Sequence, residues 1–330
     1  MKTQRTLLFI FLILVLIIRG NAQDVIYSQF YANPLYLNPA LAGAKLNQRF
    51  TLNYRNQWPN ASKGYVSYSA AWDQQFDKIS GALGVMANAD IGGGGVYNKF
   101  SGSGIYSYRL QATRFIVLNA AIEATYMQYT LDWNRLVFGD QFNGFSANLK
   151  PTEENALSKH NVGKIDLSAG ILGGYKESLY FGVAVNHLTR PDIAFSEMNE
   201  NRLNMRFTVH SGVLIDFFQG MDGEDIRNLS VSPNFIYVQQ GQFRQLNVGM
   251  YLNKFPFVWG LWMRHNFGNP DALIALLGFQ TKNYKIGYSY DYTISHLTNK
   301  SGGAHEISIA WLFHRLNGSS RFKAMPCPAF

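Results

Sequence analysis

The residues of this chain that could do chemistry are seven histidines, a run of four glycines and one acidic stretch. No pair of histidines has the spacing of a catalytic zinc motif such as H-E-x-x-H. The glycines at 92–95 precede neither a Lys-Ser/Thr pair nor an expected helix, so they predict a turn between strands rather than a phosphate loop. Asp222, Glu224 and Asp225 lack the spacing and the closing Glu of an EF-hand loop. We therefore expect no catalytic residue, no metal site and no other cofactor.

The elements that carry these residues are strands with two different faces. Over 284–292 every second residue is apolar or aromatic, and the residues between them are lysine, glycine, serine and aspartate. After a loop at 301–303 the alternation resumes, which predicts an antiparallel hairpin. His305 and Glu306 are neighbours in its second strand, so we expect them to face opposite sides. The apolar face would be core in a soluble sandwich, but it would meet lipid in an outer-membrane barrel, whose other face lines the lumen.

Composition favours the membrane alternative. Charged residues make up 15% of the chain, against about 25% in a typical soluble protein. Aromatic residues are also 15%, and the formal charge of +8 is spread along the chain without a basic block. Nucleic acid is therefore not expected as a partner. The mean hydropathy is only -0.11, as expected for barrel strands, in which alternation averages the apolar face away.

The first 22 residues have the three regions of a secretory signal peptide. Lys2 and Arg5 precede an apolar run at 7–18, and small and polar residues follow it up to Ala22. The apolar run has about a dozen residues, whereas a helix needs roughly 20 to cross a bilayer core. A membrane anchor is therefore the weaker alternative, and we expect cleavage after Ala22.

The mature chain is expected to begin with an ordered but irregular segment at 23–47. It contains two Asn-Pro pairs, Asn33-Pro34 and Asn38-Pro39. Proline fixes its own φ, lacks an N–H donor and keeps the preceding residue out of the helical region. Two interpretations remain open: the segment plugs or caps the periplasmic mouth of a barrel, or it docks a partner protein.

Long motifs at both ends of the chain resemble one family. QFYANPLYLNPALAG at 29–43 and YRNQW at 54–58 resemble the opening of the PorP/SprF outer-membrane proteins of the type IX secretion system. YDYTISHLTNKSGGAHEISIAW at 290–311 and the terminal residues 327–330 resemble the closing segments of that family. The resemblance covers nearly the whole mature chain.

The resemblance implies a non-enzymatic accessory barrel in the bacterial outer membrane that helps to export or anchor secreted proteins, including adhesins used in gliding. The implied partners are outer-membrane lipid, the type IX translocon with its periplasmic machinery, and an exported surface protein as cargo. Two candidate contact sites follow from the matched motifs. The candidate partner-docking motif comprises Asn33, Pro34, Tyr36, Asn38, Pro39 and Gly43, and the candidate tail contact comprises Cys327, Pro328 and Phe330.

Alternation and turn residues predict a transmembrane antiparallel β-barrel of about 14 strands at 48–316, followed by a periplasmic tail at 317–330. The predicted strands are 48–56, 64–73, 79–90, 96–109, 114–129, 163–175, 178–188, 203–217, 227–238, 243–253, 256–265, 270–281, 283–293 and 304–314. If the first strand starts in the periplasm, most long connections are extracellular, as in known barrels. The exception is 218–226, which is either a docking loop or a slip in the strand count. The aromatic loop 130–162 is predicted to fold over or into the barrel mouth, with a solvated surface loop as the alternative.

Two of these strands, 79–90 and 270–281, have apolar or small residues on both faces. The lumen is expected to hold charges of both signs, which can pair and fill it. The lumen-facing candidates are Glu123, Arg206, Lys285, Asp291 and Glu306. Two alternatives to the accessory role remain open: a passive diffusion channel, and a soluble secreted β-sandwich that would not account for the aromatic content.

Overall fold

The computed structural model describes residues 23–46, 48–61, 64–142, 152, 159–176, 178–196, 200–217, 229–267, 269–294, 302–313 and 325. The predicted signal peptide at 1–22 and the loop 218–226 lie outside these residues, as do Cys327, Pro328 and Phe330. None of the helices in the part of the chain that is described is long and apolar enough to cross a membrane.

The wall of the molecule is one antiparallel sheet that closes on itself. Its strands are β1 Gln48–Gln57, β2 Tyr65–Phe76, β3 Gly81–Gly92, β4 Tyr97–Gln111, β5 Ile116–Leu131, β6 Asn161–Tyr175, β7 Leu179–Asn186, β8 Arg206–Val213, β9 Ile215–Asp216, β10 Leu229–Gln240, β11 Phe243–Lys254, β12 Phe257–Asn266, β13 Asn269–Gln280, β14 Tyr284–Thr293 and β15 Ala304–Phe313. Consecutive strands pair with each other, except that β8 and β9 both pair with β10, and β1 pairs with β15 over ten residues, from Gln48↔Phe313 to Gln57↔Ala304. The predicted transmembrane barrel is therefore confirmed, and a sandwich with open edges is not the fold.

The barrel has 14 wall strands, because β8 and β9 are two parts of one strand. Both pair with β10. The strand is interrupted at Leu214, whose N–H donates to Ser178 O at 2.7 Å instead. The predicted strand boundaries agree with these bounds to within about three residues. The predicted strand 203–217 begins too early, because Leu203 belongs to a loop that packs with Met127 and Tyr129.

The two faces of the wall have opposite chemistry. In the C-terminal hairpin, Ile286 and Ile307 point outward and are 49% and 44% exposed, whereas Ser289 and Glu306 point inward and are fully buried. His305 faces outward against the rings of Tyr288 and Tyr290, so the predicted separation of His305 from Glu306 is confirmed. An apolar exterior with a polar interior is the pattern of a barrel that meets lipid.

The ends of the barrel differ in their connections. At one end, here the short-turn end, strands join through tight connections such as 112–115, 176–178 and 281–283. The opposite, long-loop end carries 132–160 and 187–205. By the rule for outer-membrane barrels the short-turn end faces the periplasm. The glycine run ends at the long-loop end, where residues 93–96 form the turn between β3 and β4, as the sequence predicts.

Candidate functional site in the barrel lumen

The N-terminal segment of the described chain lies inside the barrel. Residues 23–45, hereafter the plug, begin beside wall residues of the long-loop end and reach the short-turn end at Gly43. The plug contains one helical turn, α1 (Pro34–Leu37), and a 3-10 turn at Pro39–Leu41. Most of its side chains are buried against the wall. The lumen is thus filled by the protein's own chain.

The two Asn-Pro pairs explain why the plug folds as two short turns. Pro34 and Pro39 each stand at the start of a turn, where the fixed φ of proline suits a helix and no N–H is needed. The preceding residues Asn33 and Asn38 have φ of -117° and -159°, outside the helical region, as expected before proline. The side chain of Asn38 also accepts a hydrogen bond from Ala40 N at 2.9 Å, which caps the second turn.

Apolar side chains of the plug pack against apolar patches of the inner wall. Phe30 contacts Trp262, with ring centroids 4.9 Å apart, in a cluster that includes Ile274 and Leu276 of β13. Leu35 packs into a second cluster with Ala82 and Met86 of β3 and Ile105 of β4. This packing explains the two strands whose faces the sequence leaves ambiguous: their outer face meets lipid and their inner face meets the plug, so both are apolar.

A buried polar network fixes the plug near Ser28. Arg55 Nη1 donates to Ser28 Oγ at 2.6 Å and to Glu306 Oε2 at 3.2 Å, and Arg55 Nη2 donates to Asp291 Oδ2 at 2.9 Å. Arg264 donates to the same Ser28 Oγ at 2.7 Å and to Asp291 Oδ2 at 2.9 Å. Glu306 also accepts from the backbone N–H of Ser28 at 2.6 Å and of Gln29 at 3.1 Å. Two wall arginines and two wall carboxylates therefore converge on one plug serine.

A second polar cluster, hereafter the Asp24 clasp, holds the start of the plug at the long-loop end. Asp24 Oδ1 lies 2.6 Å from Lys99 Nζ, and Asp24 Oδ2 lies 2.6 Å from His187 Nε2. The other ring nitrogen of His187 lies 2.7 Å from Asp166 Oδ2. Burial alone would lower the pKa of His187, but Asp24 and Asp166 outweigh it, so the pKa of His187 is raised. Burial would raise the pKa of Asp24, but Lys99, His187 and Arg206 hold the pKa of that carboxyl well below its usual range.

The Asp24 clasp is expected to weaken as the pH rises above neutrality. Because the pKa of His187 is raised in the folded protein, its protonation stabilises the clasp fully below the pKa of an unfolded histidine, about 6.5. This stabilisation is lost as the pH rises through the pKa of His187 in the folded protein. Asp24, whose pKa is lowered, stays charged throughout this window. Amide hydrogen exchange of residues 24–27, corrected for the intrinsic pH dependence of exchange, should therefore show less protection in mildly alkaline buffer.

Two variants test the source of this pH dependence. His187→Asn should lower the protection of residues 24–27 in mildly acidic buffer and flatten its change with pH. His160→Asn is the matched control, because His160 is exposed at the edge of the long-loop end. A His187→Asn protein that keeps the wild-type pH profile would contradict the role given to the imidazole.

The wall makes room for Asn38 at two glycines. Asn38 Nδ2 donates to Ile171 O at 3.2 Å and to Val183 O at 3.3 Å, and it lies 3.1 Å from His210 Nε2. A Cβ at Gly170 would overlap Asn38 Oδ1, and a Cβ at Gly182 would overlap His210. Side chains at these two wall positions are therefore incompatible with the seated plug.

Gly43 anchors the plug at the short-turn end. Its N–H donates to Asp73 Oδ2 at 2.8 Å, and its carbonyl accepts from Arg109 Nη2 at 3.0 Å. Its φ is +67°, and a Cβ would overlap Ala82, so both the backbone conformation and the space require glycine. Asp73 is held in turn by Arg49 at 2.8 Å.

The structure brings together most of the residues that the sequence singled out. Within the candidate docking motif, Asn33, Pro34, Asn38, Pro39 and Gly43 are buried in the lumen and Tyr36 is partly buried. A role of this motif in docking a partner stays a prediction. The candidate tail contact lies outside the described residues. The neighbouring Met325 is buried and donates its N–H to Ala44 O at 2.9 Å, at the short-turn end.

The lumen-facing charges were identified only in part by alternation. Three of these charged residues contact the plug. Asp291 and Glu306 belong to the network around Ser28, and Arg206 donates a hydrogen bond from Nη2 to Tyr36 O at 3.1 Å. Glu123 and Lys285 also face inward. Sequence reasoning missed Arg55 and Arg264, although both stand at inward positions of alternating strands. A search for charged residues on the polar face of every strand would have found them.

The described cavities beside the plug are small. Three cavities between the plug and the wall measure about 30, 50 and 40 Å³, which is room for a few water molecules at most. A depression of about 930 Å³ lies on the lipid-facing surface among apolar residues such as Val248, Met250 and Leu261. Among the described residues, no group of three or more His, Cys, Asp and Glu side chains is arranged to hold a metal ion.

A closed barrel with an apolar exterior and a lumen filled by its own N-terminal segment defines a plugged β-barrel of the outer-membrane type. A family model described as "Type IX secretion system membrane protein PorP/SprF" matches residues 19–311. The chain therefore belongs to the PorP/SprF family, is a membrane component of the type IX secretion system, and is located in the outer membrane. No curated protein matches the chain at a significant level.

The solved structures that match this chain include two toluene transporters and a porin. The Ralstonia pickettii toluene transporter TbuX is 12% identical, with 89% of this chain and 96% of that chain covered and a TM-score of 0.46. The P. putida toluene transporter TodX is 10% identical, with 86% and 94% covered and a TM-score of 0.49. The KdgM porin in complex with disordered oligogalacturonate is 7% identical, with 81% and 99% covered and a TM-score of 0.39.

Proposed function

We propose that this protein is a non-enzymatic accessory of type IX secretion that helps to export or surface-anchor particular secreted proteins, such as gliding adhesins. The observation that carries the proposal is the family match over residues 19–311. The filled lumen supports it, because the interior binds the plug through many specific polar contacts rather than offering a path for solutes. The exported proteins would be recognised at the barrel's surfaces and not by chemistry inside it.

A passive diffusion channel is the alternative, and the lumen argues against it. The cavities beside the plug measure about 30 to 50 Å³, too small for a nutrient-sized solute to pass. Planar bilayer recordings separate the two functions. The accessory role predicts a closed or only briefly open barrel, whereas a steady open conductance from the wild-type protein would favour the channel.

Three surfaces are proposed to meet partners. The tail with Cys327, Pro328 and Phe330 would contact the periplasmic secretion machinery, since Met325 lies at the short-turn end. The connections of the long-loop end would meet the exported cargo. The motif at 33–43 would reach a partner only after the plug leaves the lumen, because its side chains are buried there.

Deletion of residues 24–43 with the signal retained tests the role of the plug in secretion. Loss of the plug is expected to leave an inserted, heat-modifiable barrel that no longer supports surface display of its cargo. The measurement is a comparison of the surface and secreted proteomes of cells with the wild-type gene, the deletion and no gene.

A barrel in which a Gly/Ser segment of equal length replaces 24–43 is the control for spacing. If the deletion strain displays every exported protein normally, the plug has no part in docking or delivery. If the strain without the gene loses no exported protein but takes up small solutes more slowly, the accessory role itself is wrong.

A further inference from the structure

The first residue of the plug lines a small crevice at the long-loop end. This crevice, about 50 Å³ in volume, is lined by Gln23, Asp90, Tyr97, Lys99 and Tyr129, among others. The next residue fixes the position of Gln23, because Asp24 N donates to Gln240 Oε1 at 3.0 Å and the Asp24 carboxylate is held by the Asp24 clasp. Gln23 and the wall residue Asp90 therefore line the same small crevice.

The crevice and the cavity next to it hold more acidic than basic groups. Their charged residues are four carboxylates, two permanent cations and one histidine: Asp24, Asp90, Glu123, Asp166, Lys99, Arg206 and His187. Glu123 is 4% exposed, and its Oε2 has no hydrogen-bond partner among the described residues. Even with His187 protonated, these two cavities hold three cations for four carboxyl groups.

Two of the four carboxyl groups, Asp90 and Glu123, form no ion pair among the described residues, and of these two only Asp90 lines the crevice that Gln23 also lines. Asp90 stands on β3 opposite Lys99 of β4, but the Lys99 ammonium lies 2.6 Å from Asp24 Oδ1. Among the residues that the structure describes, Asp90 forms no ion pair within 4.0 Å, unlike Asp24 and Asp166 of the same region. A partly buried carboxylate of this kind is stabilised by a cation that can also donate hydrogen bonds.

Hydrolysis of the Ala22–Gln23 peptide bond by a signal peptidase would supply that cation. Addition of water gives a carboxylate on Ala22 and an α-amino group on Gln23, which is mostly protonated at neutral pH since its pKa is about 7.7–8.0. In the precursor the same nitrogen is an uncharged amide. We propose that the α-ammonium of the mature N-terminus binds Asp90 in this crevice, so that signal cleavage completes the seat of the plug.

The proposal rests on the predicted cleavage site and first requires its chemistry to be verified. Intact mass spectrometry of the protein extracted from the outer membrane is expected to give the mass of residues 23–330 with a free amine. A mass lower by one ammonia would mean that Gln23 has cyclised and carries no charge. That result, or a chain that starts elsewhere, would overturn the proposal.

A double-mutant cycle then tests the contact in the full-length barrel. One change is Asp90→Asn, and the other inserts Gly-Ser between Ala22 and Gln23, which moves the ammonium away from the crevice. Each change should increase amide exchange of residues 24–27 about ten-fold, the size expected for a hydrogen bond to a charged group. The two together should have no larger effect than either alone. Additive effects, or no effect of Asp90→Asn, would refute the pairing.

Two further variants test whether the coupling is specific to the Asp90 carboxylate. Glu123→Gln removes another buried carboxylate of the same end and should be additive with the insertion. Asp90→Glu keeps the charge and should retain part of the coupling. Heat-modifiability on gels confirms that each variant barrel is folded. The readout is exchange within the plug, so it is independent of whether the proposed secretion role is correct.

Discussion

Replacement of Arg55 by alanine is expected to lower the free energy of releasing the plug by about 3–5 kcal/mol, the cost of removing one partner from a buried ion pair. The Arg55 side chain is 2% exposed and joins Ser28 to both Asp291 and Glu306. Its removal leaves Glu306 without a cation and Asp291 with Arg264 alone. The measurement is denaturant-dependent amide exchange of residues 27–30 in detergent, together with heat-modifiability of the barrel.

An exposed ion pair provides the matched control for Arg55. Arg202 lies 3.1 Å from Glu200, but the two side chains are 60% and 72% exposed, so Arg202→Ala should change stability by less than about 1 kcal/mol. Arg55→Lys keeps the charge but loses the fork of donors and should be intermediate. Wild-type protection of the plug in the Arg55→Ala barrel would show that the network does not hold it.

Gly170→Val is expected to expel the plug while the barrel stays closed. The added side chain would occupy the position of Asn38 Oδ1, and any shift of the fully buried Asn38 would break its hydrogen bonds to Ile171, Val183 and Ala40. Overpacking typically costs about 1–3 kcal/mol, and here the loss of the Asn38 hydrogen bonds adds to it. The variant should show increased conductance in planar bilayers and faster amide exchange throughout residues 33–43.

Gly104→Val is the matched control for this substitution. Gly104 lies on β4, two strands from Gly170, faces outward, and has open space where a Cβ would stand. Its replacement should leave the barrel closed and the plug protected. Adding Asn38→Ala to Gly170→Val should relieve part of the overlap, so the double variant should be less damaged than the sum of the single variants. A closed, fully protected Gly170→Val barrel would contradict the steric argument.

The candidate site was predictable only where a short stretch of sequence determines its structure. The Asn-Pro pairs mark the turns of the plug because proline restricts its own backbone and that of its predecessor. The contacts that seat the plug are not local. Ser28 N and Glu306 are 278 positions apart, and Asn38 and His210 are 172 apart. No spacing rule connects such pairs, which is why Arg55 and Arg264 were not identified.

The sequence by itself determined the number of wall strands, their boundaries to within about three residues and, on most strands, the face that each side chain takes. The reason is that successive side chains of a strand point to opposite faces. Where the two faces meet different surroundings, apolar and polar residues must therefore alternate. That rule fails where the surroundings match: β3 and β13 are apolar on both faces, because lipid lies outside and the plug inside. Only the tertiary structure decided what occupies the lumen, since closing the barrel brings Arg55, Asp291 and Glu306 from distant strands around Ser28.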